Sequence, residues 1–193
     1  MLSWLVIALG YVIGTFPTAY FFGKKLIGKD IRKLGDGNMG ARNAYHEISH
    51  PIGILTFFID AGKGALAVLA AQVMDMSQTT VLATGVAVLA GHNWPLFLKF
   101  SGGRGEATTI GVLYVLMPLP MLIMTLPTVL MLFIVKNVII TTALIFIGLL
   151  LVCWWLDISG LLIIYAIGLI CLVGITHFFR RHRIEDTASA GTT

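Results

Sequence analysis

Six apolar stretches cover most of the chain: Leu2–Phe22, Ile52–Met74, Thr79–Leu98, Ala107–Val135, Val138–Leu156 and Ile158–Phe179. A helix needs roughly 20 apolar residues to cross the hydrocarbon core. Each stretch therefore predicts at least one membrane-spanning helix, and the fold class is an all-α polytopic membrane protein with one embedded domain, 1–193. The first stretch does not read as a cleavable signal, because it lacks a charged n-region and an A-x-A site and leads straight into polar residues. Polar residues gather in two loops, 23–51 and 99–106, and in a short tail, 180–193. The small polar residues Thr187–Thr193 are expected to be disordered.

The stretch Ala107–Val135 decides the number of spans. It holds Met117-Pro-Leu-Pro120 near its centre, so it reads as one kinked span or as two short ones. Charge separates these readings. With two spans there, and seven in all, Lys24, Lys25, Lys29, Arg32, Lys33, Arg42, Lys99, Arg104, Lys136, Arg180, Arg181 and Arg183 share one side. A single span would send Lys136 and the tail to the opposite side. Basic residues near span ends mark the cytoplasm. We therefore expect seven transmembrane helices, with the N-terminus outside and the C-terminus cytoplasmic. The outer connections then carry only Asp75 and Asp157 as charges. Both central spans fall short of the usual length of roughly 17–25 residues.

Composition agrees with this picture. Of the 193 residues 58% are hydrophobic and 11% charged, against about 25% charged in soluble proteins. Cys153 and Cys171 both lie inside apolar stretches and read as small packing residues.

Against this background two polar islands stand out, Gly35-Asp-Gly-Asn-Met-Gly-Ala-Arg-Asn43 and Ser101-Gly-Gly-Arg-Gly105. Each sets closely spaced glycines beside a guanidinium, an arrangement that lets backbone N–H groups and a cation converge on an anion. In the first, Gly35, Gly37 and Gly40 are free to take φ > 0, Asn38 and Asn43 offer amides, and Arg42 can fork onto a phosphate. A tight turn between a span and a cytoplasmic helix is the alternative. In the second, His92 and Asn93 precede the Trp94-Pro95 break, and a glycine turn carries Arg104 into a new helix, whose N-terminus favours an anion. Trp94, Phe97 and Phe100 read as an aromatic belt.

Asp60 and Lys63 lie three apart within a span and can pair, as a self-satisfied structural pair or as part of a site. Arg180, Arg181, His182 and Arg183 read as a basic cluster drawn to anionic headgroups. His46 and His50 lack an accompanying carboxylate, so no metal is expected; neither a cofactor nor a nucleic-acid partner is implied. With no nucleophile elbow, HExxH or Walker loop, an enzyme here would work by positioning and electrostatics.

These blocks resemble the bacterial acyl-phosphate:glycerol-3-phosphate acyltransferase family. The first island is similar to that family's G-S-G-N-x-G-A-T-N-x-x-R block. Gly91–Thr108 is similar to G-H-x-x-P-x-F-x-x-F-K-G-G-K-G-V-A-T, Asp60-Ala-Gly-Lys-Gly64 to D-x-x-K-G, and Arg181-His-Arg183 to the start of R-H-R-E-N-I. The resemblance implies an integral enzyme of the bacterial inner membrane, its site facing the cytoplasm. It would transfer a fatty acyl group from acyl phosphate to glycerol 3-phosphate, forming lysophosphatidic acid for phospholipid biosynthesis. It implies substrate-binding roles for Asp36, Gly37, Asn38, Gly40, Arg42, Asn43 and His46 in the first block. Lys63 and His92 join them from the spans. Ser101, Gly102, Gly103, Arg104, Gly105 and Thr108 follow in the second block, and His182, Arg183 and Glu185 in the tail. No catalytic residue is assigned, because the substrate's own phosphate, with a second pKa of about 6, is proposed as base in related enzymes.

Departures from the family pattern cluster in the same blocks. Asp36 stands for serine, Arg42 for threonine, His46 for arginine, Ser101 and Arg104 for lysines, and Glu106 for valine; Ile184-Glu185-Asp186 stands for the tail's Glu-Asn-Ile. Asp36 puts a negative charge where a phosphate is expected, and a pair with Arg42 would relocate the cation. Two other readings stay open: a diverged paralog that binds a lipid or phosphorylated ligand without catalysis, and a small transporter.

Overall fold

The protein is described by a computed structural model over residues 1–135 and 137–190, with side chains described for 1–135, 137 and 140–179. The described residues are helical, with no strands, as the apolar stretches predict. Pro17 breaks the first stretch into α1 (Leu2–Gly14) and α2 (Thr18–Ile27), which together form one apolar segment, Leu2–Ile27. That segment outruns its expected end at Phe22. Gly28, at φ 67°, stops it in the left-handed conformation open to glycine. A turn at Ile31–Lys33 and the short α3 (Ala41–Glu47) lead to α4 (His50–Val73), which Ser49 caps by accepting the Ile52 N–H.

Ser77 likewise caps α5 (Gln78–Asn93), and a glycine-rich connection follows to α6 (Glu106–Leu116). At Met117 the helix breaks, at φ −138° and ψ 65°, as the residue before Pro118 should. The chain reverses there: the Tyr114 hydroxyl meets that of Thr125 on α7 (Pro118–Val135). In a straight helix those residues would stand about 16 Å apart. Next come α8 (Val138–Trp155) and α9 (Gly160–Ala190). The last helix continues past the expected onset of disorder at Thr187, because extending a nucleated helix costs little per residue. Among the described residues five segments are long and apolar enough to cross a membrane, with α6 and the described part of α8 shorter.

Small residues set the packing of the first half. On α1 against α5, a Cβ at Gly14 would land on the Val88 carbonyl, and one at Gly91 on that of Tyr11. On α4 against α6, a Cβ at Gly64 would strike the Thr108 carbonyl, and one at Gly111 that of Ala61. Such close approach is how helices associate where lipid supplies no hydrophobic drive between them. Packing of α7–α9 relies instead on large side chains, among them Met121, Met124, Phe146, Leu149 and Leu169. Cys153 joins that core as expected, whereas Cys171 faces outward.

Candidate active site

Both polar islands and the α9 residues Thr176 and His177 meet at one end of the bundle. Asn43 organises the first island: its amide donates to the carbonyls of Ile31, Leu34 and Asn38, and its Oδ1 accepts the Asp36 N–H at 3.2 Å. Gly35 and Gly37 take positive φ (53° and 64°) as expected, but Gly40 does not. Gly40 sits at φ −98° as the cap residue of α3. Its lack of a Cβ matters for space, since one would stand 2.8 Å from the Asn38 amide. Arg42, His46 and Asn43 line a cavity of about 200 Å³ with Gly35, Asp36 and Glu47.

The second island folds back on the end of α5. Gly102 donates its N–H to the Asn93 carbonyl at 3.1 Å, and Gly103 to that of His92 at 3.0 Å. Those N–H groups are thus spent on the scaffold, whereas the spacing suggested an anion cradle. A Cβ at Gly103 would land on the His92 imidazole, and Gly105 lies at φ 90°. Ser101 closes the turn, its N–H bonded to the Leu98 carbonyl. The islands are joined by an ion pair, Arg104 Nη1 to Asp36 Oδ2 at 3.0 Å. The ion pair of Asp36 is with Arg104 of the other island, not with the nearby Arg42. A second tie runs from Arg32 to the Leu98 carbonyl. Outside the spans, the Arg32 hydrogen bond holds the Asp30 carboxyl below its usual range.

Beneath this cap lies a buried polar group. Asp60 accepts a hydrogen bond from Thr18 at 2.7 Å and pairs with Lys63 at 2.9 Å, while His92 Nδ1 stands 3.8 Å away. Lys63 also donates to the Phe16 carbonyl at 3.1 Å, which accepts the Thr18 N–H as well. Asp60 is 1% and Lys63 7% exposed, so the charges survive burial only by these partners. Thr108 is buried alongside, on the α6 face that abuts Gly64.

The fold therefore gathers Asp36, Gly37, Asn38, Gly40, Arg42, Asn43 and His46 with the 101–105 turn. It sets Lys63, His92 and Thr108 below them. The side chains of His182, Arg183 and Glu185 lie outside the described ones. Three further residues join the site without a motif to mark them: Thr18, Thr176, whose hydroxyl donates to the Arg104 carbonyl at 3.0 Å, and His177, 3.9 Å from Glu106. Only the proline break beside Thr18 marked that position.

A family model described as glycerol-3-phosphate acyltransferase matches residues 4–186. The chain is 42% identical over 184 residues to glycerol-3-phosphate acyltransferase 4 of Dehalococcoides mccartyi (strain ATCC BAA-2266 / KCTC 15142 / 195), covering 93% of this chain and 97% of that one. Glycerol-3-phosphate acyltransferase 1 of Moorella thermoacetica is 33% identical, with 92% of each covered. The fold matches the crystal structure of PlsY (YgiH), an integral membrane glycerol 3-phosphate acyltransferase, in its glycerol 3-phosphate form. There the TM-score is 0.84 at 25% identity, over 97% of this chain and 94% of that one. The lysophosphatidic acid form of that protein matches with a TM-score of 0.81 at 25% identity, over 98% and 93%.

Proposed function

The chain belongs to the glycerol-3-phosphate acyltransferase family, and on that premise we propose that it transfers a fatty acyl group from acyl phosphate to the 1-hydroxyl of glycerol 3-phosphate. The new ester C–O bond forms as the acyl–phosphate C–O bond breaks. The hydroxyl proton leaves with the released phosphate, and lysophosphatidic acid remains for phospholipid biosynthesis. The observation that carries this reading is the joining of the islands. Arg104, buried, pairs with Asp36 on the wall of the cavity that Arg42 also lines, and Lys63 and His92 gather at Asp60. Two cations near a phosphate in a partly dry site contribute several kcal/mol where charge develops. No side chain need serve as base, since a phosphate dianion can take the proton.

The binding residues of this proposal are the two islands with Lys63, His92 and Thr108, completed by His182, Arg183 and Glu185 of the tail. The reversal at Met117–Pro118 supports seven spans in one embedded domain, with both islands and the tail on the cytoplasmic face of the bacterial inner membrane. A cysteine placed at Lys29, in a variant lacking Cys153 and Cys171, should then react with an impermeant maleimide only from the inside.

Protein reconstituted in lipid and given palmitoyl phosphate with labelled glycerol 3-phosphate should yield labelled lysophosphatidic acid. No product at high enzyme and substrate overturns the reading. Asp36 and Glu106, acids where the family pattern has serine and valine, favour the second reading, a relative that binds without acyl transfer, and the same assay decides between them.

A further inference from the structure

Arg104 carries more donors than its visible partner uses. Its planar guanidinium offers two edges, one through both terminal nitrogens and one through Nε and Nη2. Asp36 comes closest at Nη1, at 3.0 Å. Nε is buried with no partner among the described residues, on a side chain only 8% exposed. A buried guanidinium N–H left in this state is costly, so this edge calls for an oxyanion. Asp36, meanwhile, is fixed before any ligand arrives. Its Oδ1 accepts the Asn38 N–H at 3.1 Å, its own N–H is held by Asn43, and Oδ2 pairs with Arg104. A carboxylate standing in the phosphate's place would take the forked, bidentate edge. This one leaves Nε without a partner and comes nearest to the terminal Nη1.

We propose that Asp36 is a positioning residue, holding Arg104 by Nη1 so that the Nε–Nη2 edge is presented to a substrate phosphate. The inference rests on the proposed acyl transfer. It explains why an acid is tolerated beside the cation: arginine serves an internal carboxylate and a ligand at once. Lysine, a single nitrogen without a second edge, is poorly suited to both. The two residues are therefore coupled, and changing either alone is worse than changing both.

The test compares wild type with Asp36→Asn, Asp36→Ser, Arg104→Lys and the double Asp36→Ser/Arg104→Lys, by kcat and KM for glycerol 3-phosphate and by equilibrium dialysis of labelled glycerol 3-phosphate. Thermal unfolding in detergent checks that each variant is folded. Each single variant should lose about tenfold or more in kcat/KM, with Arg104→Lys weakest, and the double should recover to within about threefold of wild type. A fall in KM for Asp36→Asn would make Asp36 a competitor of substrate and overturn the proposal. Unchanged kcat/KM, or a double no better than the worse single, would also overturn it. Should Asp36→Ser fail to fold, the isosteric Asp36→Asn carries the test. If wild type binds glycerol 3-phosphate without turnover, the acyl-transfer reading falls, and the same order of variants in dialysis decides the pairing by itself. If it binds none, both fall.

Discussion

The two halves of this bundle are built by opposite means. From α1 to α6 the helices approach through glycines so closely that backbone carbonyls occupy the space of a Cβ, at Gly14, Gly64, Gly91 and Gly111. From α7 to α9 they meet through methionine, leucine and phenylalanine, and a Cβ at Gly168 or Gly174 meets nothing within 4 Å. Among the described residues the first half also holds the Asp30–Arg32, Asp60–Lys63 and Asp36–Arg104 ion pairs, and Glu106, 3.9 Å from His177, joins it to α9. Close approach fixes α5 against α1 and α4 against α6, and with the second pair the heights of Asp60, Lys63 and Thr108. Bulky packing fixes no such register, because a methionine adapts to small shifts. Precision is concentrated where charges must meet, and the second half supplies apolar cover.

Glycine substitutions should break this contrast most strongly. Gly64→Val places a branched side chain on the Thr108 carbonyl and should cost more than about 3 kcal/mol, with loss of acyl transfer, by thermal unfolding in detergent and product assay. Gly168→Val on α9 should stay within about 0.5 kcal/mol, as open sites do. Equal losses at both positions would erase the distinction between the halves.

The buried pair comes next. Asp60→Asn leaves Lys63 charged and deprived of its counter-ion, an effect of about 3–5 kcal/mol for buried pairs. The double Asp60→Asn/Lys63→Met removes both charges and should recover much of that stability. Its activity then separates the roles the sequence left open: a folded, active double makes the pair structural, and a folded, inactive one makes it part of the site.

Legibility followed distance along the chain. Asp60 and Lys63 were readable as a pair because a helix sets residues three apart on one face. The break at Met117 was readable because proline forbids the preceding helical turn. The partner of Asp36 was not readable: Arg42 stands nearby in the chain, while Arg104 arrives from the other loop. Nor was the role of Gly102 and Gly103 visible, since glycine spacing suits an anion cradle and a turn against His92 alike. Thr18 gained its role only when α2 packed beside α4. Side-chain spacing within one helix is local information; which loop meets which is a product of the glycine-packed core.

Arg104→Ala tests the cap against the core below it. Loss of the fixed cation should lower activity by at least about tenfold, or about 1.4 kcal/mol in the transition state. Asp36 would remain anchored by Asn38 and Asn43, so thermal stability should change less than for Asp60→Asn. Wild-type rates would remove Arg104 from the site.

The smallest effect lies at the outer edge of the cap. Asp30 is held in its charged form by Arg32, and its folded pKa lies below the ordinary 3.8. A depressed carboxylate contributes stability that is fully present above its unfolded pKa and lost as pH falls through the folded value. Both side chains are partly exposed, so the pair is worth less than about 1 kcal/mol. Amide exchange of 30–34 should therefore accelerate below pH 3.8 after correction for intrinsic rates, and Asp30→Asn should remove that dependence. Exchange in α7, which carries no charged side chain, should show no corresponding change. If α7 loosened in parallel with 30–34, the acid response would belong to the whole bundle, and the cap would not be a separately stabilised element.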